Sequence, residues 1–211
     1  MKCTVCHHQL KKFYKIIDNK KYWKCNECFA IILDNKHYLN KMMEKKHYLK
    51  HQNIVTNLGY RNFLSKLSTP LIKDLKNGDE GLDFGCGHGP ALADILNNNG
   101  FNVDLYDPFF YPNKNILSRQ YDFITCTETV EHFFDPFKEF TLLNKLLKKN
   151  GLLAIMTSFL PKEDLFENWY YRRDPTHVVF YAEKTFKLIA KKMSWIPEIK
   201  CKNVIFFKKN N

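Results

Sequence analysis

The chain has 211 residues, 45% hydrophobic and 15% aromatic, enough to bury one ordinary domain with a small appendage. No stretch of 18 apolar residues occurs, and the opening MKCTVCHHQL lacks the apolar segment of a secretory signal, so neither a membrane span nor export is expected; the expectation is a soluble, cytoplasmic protein. Of the formal charge of +11, residues 1–60 carry +8, with 12 Lys/Arg against 4 Asp/Glu; this basic front is either a solvated lysine-rich surface or a footprint for a polyanion such as RNA.

The first element is CTVC, then 18 residues, then CNEC. Two C-x-x-C turns at this spacing aim four thiolates, from Cys3, Cys6, Cys25 and Cys28, at one ion, the pattern of a closed and therefore structural zinc site. Between them FYKII and KYWKC read as short ribbon strands. About 35 residues bury little by themselves, so ion binding is expected to supply most of this module's folding energy, and losing one cysteine to unfold it while sparing the later domain. The remaining Cys86, Cys126 and Cys201 read as small apolar fillers.

Residues 35–53 form a charged, helix-capable connector whose His37, His47 and His51 are expected at the surface. YRNFLSKLSTPLIKDL (60–75) spaces Phe63, Leu64, Leu67, Leu71, Ile72 and Leu75 on a helical stripe, with Pro70 expected to break or kink it. Both helices are expected to cover the entrance of the next domain. The division is 1–36 for the ribbon, 37–78 for connector and cover, and 79–211 for the main domain.

From residue 81 the chain reads GLDFGCGHGPALADILNNNGFNVDLYDPF: a strand, glycines 85, 87 and 89, a helix, and a second strand ending on Asp107. This is half of a doubly wound α/β unit with its glycine turn at the carboxyl end of the strand. A dinucleotide site would want Gly or Ala where Pro90 stands, and Asp83 at the strand tip would repel a pyrophosphate but suits a positively charged ligand. Then YDFITCTE forms a strand delivering Glu128 to the crevice, Glu131 and His132 follow before a helix at 136–148, and the tail reads as helix, strand, strand.

LDFGCGHGP, YDP, YDFITCTETVEHFFDP and NGLLAIMT resemble, in order, the motifs of class I S-adenosylmethionine-dependent methyltransferases. The likeness is nearest to small bacterial members with an N-terminal zinc ribbon and a DPTHVxFY segment, and it spans the chain. It implies a mostly parallel sheet closed by a final antiparallel strand, and S-adenosylmethionine held by Asp83, Gly85, Cys86, Gly87, Gly89, Asp107, Pro108 and Thr127. Between Asp107 and Asp122 only 14 residues remain where the family fits a helix and a third strand, so that part is expected to shrink to a loop, with Phe109, Phe110 and Tyr111 as an aromatic wall or edge packing.

The pattern E-x-x-E-H with Thr176-His177 is similar to one in two metal-dependent groups, the ubiquinone-pathway O-methyltransferases and the small-RNA 2′-O-methyltransferases. By that resemblance Glu128, Glu131, His132 and His177 form a catalytic site for Mg or Mn; the alternative is His132 as general base without metal. A cation there has chemical sense, because a phenol of pKa ~10 faces a handicap of about 4 kcal/mol in losing its proton at pH 7. In the loop 160–177, Trp169 is expected to pack, while Tyr171 with Arg172 or Arg173 is expected to meet the substrate, the arginines clamping a carboxylate or phosphate. The expectation is O-methylation of a small hydroxylated, anionic or neutral metabolite; the alternatives are an RNA methyltransferase docking through residues 1–60, or a non-catalytic cofactor-binding adaptor.

Overall fold

The structure, a computed structural model, describes residues 1–50 and 53–210; His51 lies outside them. The chain begins with β1 (Lys15–Ile17), β2 (Lys20–Lys24) and β3 (Ile31–Leu33), an antiparallel meander between the two cysteine turns. Helix α1 (Lys41–Tyr48) starts where Asn40 accepts from the Met43 amide at 3.0 Å, and α2 (Leu58–Asp74) where Asn57 accepts from Tyr60 at 2.9 Å. The main unit follows as β4 (Glu80–Phe84), α3 (Ala91–Asn97), β5 (Asn102–Tyr106), β6 (Tyr121–Thr127), α4 (Pro136–Leu146), β7 (Leu147–Met156), β8 (Val179–Phe180), α5 (Glu183–Met193), β9 (Trp195–Cys201) and β10 (Val204–Lys209).

Six strands form one sheet in the order β5-β4-β6-β7-β10-β9. The first four are parallel, and β10 enters antiparallel between β7 and β9, as the family resemblance implies. The segment between β5 and β6 is indeed reduced: a single 3-10 turn, Lys114–Ser118, replaces helix and strand, leaving β5 at the edge. One face of the sheet packs on α2 and α3 through Leu64, Leu67, Leu71, Leu92 and Leu96; the other packs on α4 and α5 through Phe140, Leu143, Phe186 and Ile189.

Helix α2 runs unbroken through Pro70, against the expected break. The missing Pro70 amide leaves the Lys66 carbonyl without its helical donor, and the Cys201 thiol reaches that carbonyl at 3.8 Å. Cys201 is thus exposed on β9 and partnered rather than an apolar filler, whereas Cys86 and Cys126 are buried.

The cysteine module is not a separate body. Its sheet continues β1-β2-β3-β8, with Ile31 opposite Phe180 and Ile32 opposite Val179, and the Leu33 amide donates to Val178 at 2.9 Å. The Phe137 amide at the start of α4 donates to Thr4 at 3.1 Å, and the same apolar core contains Val5, Tyr22, Ile32, Phe166, Phe180 and Tyr181. Ile32→Ala, a truncation at a fully buried position, is expected to cost about 2–5 kcal/mol. Hydrogen exchange should then accelerate at Val178–Phe180, 146 residues further along the chain, as well as within the module; unchanged exchange there would show the two sheets to be energetically separate.

Candidate active site

The carboxyl ends of β4, β5 and β6 open into a cavity of about 840 Å³. At Gly85 the chain turns with φ +80°, and a Cβ there would lie 2.2 Å from Thr129 Cγ2, so no side chain fits. The amides of Gly85 and Cys86 donate to Tyr106 at 2.7 and 3.2 Å, tying this turn to the end of β5. Asp107 accepts from the amides of Gly87 (3.1 Å), Phe109 (2.8 Å) and Phe110 (3.0 Å), using three of its roughly four lone-pair sites and leaving one for a ligand.

Asp83, Gly85, Cys86, Gly87 and Gly89 all line the cavity, as do Asp107, Pro108 and Thr127. Phe109 and Phe110 are in its wall, whereas Tyr111 forms a backbone bridge with Asp107. Asp83 is buried beneath the turn, accepts from Thr125 Oγ1 at 2.8 Å, and its carboxyl is pushed up to about 7 by desolvation. The Thr127 hydroxyl is buried without a hydrogen-bond partner among the described residues. A buried acid and an orphaned hydroxyl beside a glycine turn in the cavity wall fit a polar ligand with a cationic group.

In the cavity wall the structure brings His132 and His177 together with Glu131, which lies fully buried behind them; one ligand atom from each falls within 4.8 Å of the others. His132 Nδ1 lies 3.1 Å from the Thr176 carbonyl and His177 Nδ1 2.7 Å from the Tyr171 carbonyl. Facing carbonyls, both Nδ1 atoms must carry hydrogen, so each neutral ring keeps a bare lone pair on Nε2. Both Nε2 atoms lie 3.9 Å from the same Glu131 Oε1, too far to hydrogen-bond it. Burial and the nearby His132 push His177 down to about 4, keeping its ring neutral. Glu131, fully buried, accepts from Tyr171 Oη and from Thr157 Oγ1 at 3.0 Å, which fixes its orientation. Glu128 lines the cavity without joining this trio; its backbone sits at φ +46°, costing about 1–2 kcal/mol, and burial with Glu131 nearby pushes its carboxyl up.

The four cysteine sulfurs also lie within 4.8 Å of one another, with Cys3–Cys28 at 3.6 Å and Cys6–Cys25 at 3.5 Å. Tetrahedral thiolates at ~2.3 Å from zinc would be about 3.8 Å apart, so the set fits such an ion. Without one the sulfurs share protons unequally: hydrogen bonding to Cys25 pushes Cys28 and Cys3 up, while the bonds it accepts hold Cys25 down.

Two expectations for the substrate need correction. Arg172 is buried away from the cavity, donating to Asp18 (2.8 Å), to Tyr22 (3.3 Å) and twice to the Glu167 carbonyl, so its guanidinium is a structural tie and not a clamp; Arg173 is exposed and does not line the cavity either. Tyr171 does line it. Trp169 packs against Phe166, Tyr171 and Phe180, as expected. The sequence reading missed Lys41, Glu44 and Tyr48 of α1, with Asn53 and Phe134, all in the cavity wall. Only the placement of α1 over the entrance hinted at them.

The methyltransferase domain family matches residues 47–194. The chain belongs to that family. With the class I sheet, this makes the protein an S-adenosylmethionine-dependent methyltransferase. No curated protein sequence matches it significantly. Among solved structures it is similar to the Burkholderia thailandensis 1,6-didemethyltoxoflavin-N1-methyltransferase with bound 1,6-didemethyltoxoflavin and S-adenosylhomocysteine, at 12% identity and TM-score 0.54, covering 95% of this chain and 100% of that one. A Haloferax volcanii methyltransferase in complex with the Trm112 methyltransferase activator has 10% identity and TM-score 0.57, covering 79% and 97%. An O-methyltransferase family protein from Burkholderia thailandensis has 12% identity and TM-score 0.51, covering 72% and 59%. At these identities the likeness establishes the fold.

The methyltransferase's Asp83 carries a pH signature. Its carboxyl is raised from 3.8 to about 7 in the fold, so the folded protein binds the extra proton and ionisation costs stability. The favourable contribution is complete below pH ~4 and is lost as pH rises towards 7. Melting temperatures of wild type and Asp83→Asn should therefore diverge in favour of the asparagine as pH is raised from 4 to 7.5; parallel curves would mean Asp83 is ionised throughout.

Proposed function

We propose that this methyltransferase moves a methyl group from S-adenosylmethionine to a hydroxyl oxygen of a small acceptor, at a divalent cation held by Glu131, His132 and His177 with Glu128 on the cavity wall. The observation that carries the proposal is the pair of bare Nε2 lone pairs, each fixed by a backbone carbonyl behind its ring and both converging on one carboxylate oxygen. A general base alone would need one such histidine. When bound, the donor supplies an electrophilic methyl group and the cation lowers the pKa of a hydroxyl beside it.

The chain's own residues do the rest. Asp83 offers its carboxylate to the donor's cationic end, the turn at Gly85–Gly89 lets it lie against backbone, and Asp107 has a lone pair left for a ribose hydroxyl. Phe109 and Phe110 flank the nucleoside end and exclude water. Tyr171 and Thr157 hold Glu131 in one orientation, which limits the reorganisation needed during reaction. Cys3, Cys6, Cys25 and Cys28 hold a structural zinc in the ribbon of residues 1–36; residues 37–78 form the cover and 79–211 the transferase domain.

A second reading, RNA as acceptor, is favoured by one feature. A groove of about 550 Å³ on the ribbon is lined by His8, Lys11, Lys12, Phe13 and Lys24 with no acid in its wall, a surface suited to a phosphate backbone with a stacking ring.

Manganese titrated into zinc-loaded protein should show one site, and His177→Ala, which removes a direct ligand, should weaken it by more than the roughly 10- to 100-fold that losing an outer-shell partner costs. Labelled donor incubated with fractionated extract should mark small molecules, with transfer abolished by EDTA and restored by Mg²⁺ or Mn²⁺. Full-rate transfer after stripping would end the metal proposal. Label in RNA, with retention on a polyanion resin falling steeply with salt, would favour the second reading.

A further inference from the structure

Helix α1 is buried the wrong way round. Its two apolar residues face solvent, Met42 at 76% and Met43 at 50% exposure, while Glu44 is 6% exposed and is the helix's one buried residue. An ordinary surface helix buries its apolar stripe and exposes its charges. Here the inward-facing side chain is a carboxylate in the wall of the catalytic cavity.

Nothing in the fold satisfies it fully. The Tyr48 hydroxyl donates to Glu44 Oε1 at a long 3.3 Å, and Oε2 has no hydrogen-bond partner among the described residues. Its place in the first turn favours a negative charge through the helix dipole, but that term is a fraction of the cost of removing a carboxylate from water. Burial accordingly pushes the Glu44 carboxyl up. Its partnerless oxygen is therefore left to water or to a ligand in the cavity.

Its surroundings locate that ligand. Tyr48 stands edge-on to His132 at 5.4 Å between ring centroids and packs on Phe109 at 5.5 Å, so Glu44 lies where the donor and acceptor ends of the cavity meet, one aromatic ring from the proposed cation. Of the other carboxylates of the cavity, Asp83 and Asp107 sit at the glycine turn, Glu128 near the proposed cation, and Asp174 holds His47 at 3.1 Å and the Thr176 amide at 2.8 Å; Glu139 of α4 also lines the wall. Opposing them, the wall contributes a single lysine, Lys41, and no arginine among the described residues. Such a wall repels a carboxylate or phosphate on the acceptor.

We propose that Glu44 is an acceptor-recognition residue whose buried carboxylate takes a cationic nitrogen of the methyl acceptor, fixing a hydroxylated amine with its hydroxyl towards Glu131, His132 and His177. The acceptor class is thereby a hydroxylated amine, opposite in charge to the anionic metabolite that the arginines of the long loop had implied. This rests on the reading of the site as an acceptor pocket for a hydroxylated small molecule.

The test uses two catechols that differ in the charge of their side group, 2-(3,4-dihydroxyphenyl)ethylamine and 3,4-dihydroxybenzoate. Each is titrated calorimetrically into the full, zinc-loaded chain saturated with S-adenosylhomocysteine and Mg²⁺. The amine is expected to bind at least about tenfold more tightly than the acid. Glu44→Gln keeps the shape and can still accept from Tyr48; it should bring the two probes to within about twofold of each other, leave S-adenosylhomocysteine affinity unchanged, and leave the melting temperature equal or higher. Equal or tighter binding of the acid, binding of neither probe, or a Glu44→Gln protein that melts lower with its selectivity intact overturns the inference, the last by showing Glu44 to be structural. Failure of wild type to bind S-adenosylhomocysteine is a separate result that removes the methyltransferase reading and this inference with it.

Discussion

A two-residue strand holds the site together. Val179 and Phe180 pair along one side with Ile32 and Ile31 of the cysteine module, and the Val178 amide donates to the Glu131 carbonyl at 2.9 Å. His177 lies two residues before this strand, so its position follows from where the module docks. Strands this short have no stability of their own. The segment from Thr157 to His177 otherwise contains only two 3-10 turns, and it is tied to the module by Arg172, which bridges to Asp18 and Tyr22, and by Glu163, which accepts from Lys24 at 2.8 Å. Ordering so long a loop carries a large entropy cost, offset here by its attachments to the cysteine module. The docking of that module is thus a condition for the position of His177.

The shortened sheet has a related logic. With no third strand, β5 is an open edge, which invites pairing with other chains. The edge is covered by charge and packing: Tyr121 Oη donates to Asp104 at 2.8 Å, Arg119 lies 3.4 Å from Asp104 and 3.6 Å from Glu80, and Ile116 and Leu117 from the 3-10 turn pack against the core. Shortening also brings Phe109 and Phe110, directly after Asp107, into the cavity wall where a longer crossover would carry the chain away.

Features set by local spacing were legible in the sequence. The glycine turn after a short strand, the cysteine pairs and the closing helix-strand-strand order depend on residues a few positions apart, and the structure has the strands and helices where that spacing puts them. Features set by docking were not. Arg172 looked like a ligand clamp because nothing local reveals that Asp18, 154 residues earlier, arrives beside it. Pro70 looked like a helix break because the thiol that meets the freed carbonyl comes from position 201. Nothing in KMMEKKHY, which has the composition of an exposed helix, marks out Glu44; only the placement of α1 against the cavity turns its glutamate inward.

The buried acids divide according to how well the fold satisfies them. Glu131 is fully buried yet accepts from both Tyr171 and Thr157, so the protein has already spent its donors on orienting that carboxylate. Asp107 takes three backbone amides and is set by the same logic. Asp83 has one good donor, Thr125, and Glu44 has one long one, Tyr48. An unsatisfied buried charge is among the most expensive features a fold can keep, and a hydrophobic residue of similar size at either position would be more stable. Both acids face one cavity, Asp83 under the glycine turn and Glu44 beside His132's aromatic neighbour. The fold satisfies the carboxylates that must stay oriented and leaves unsatisfied those positioned to meet a ligand, which gives one cavity two separate demands for positive charge: one at the donor and one at the acceptor.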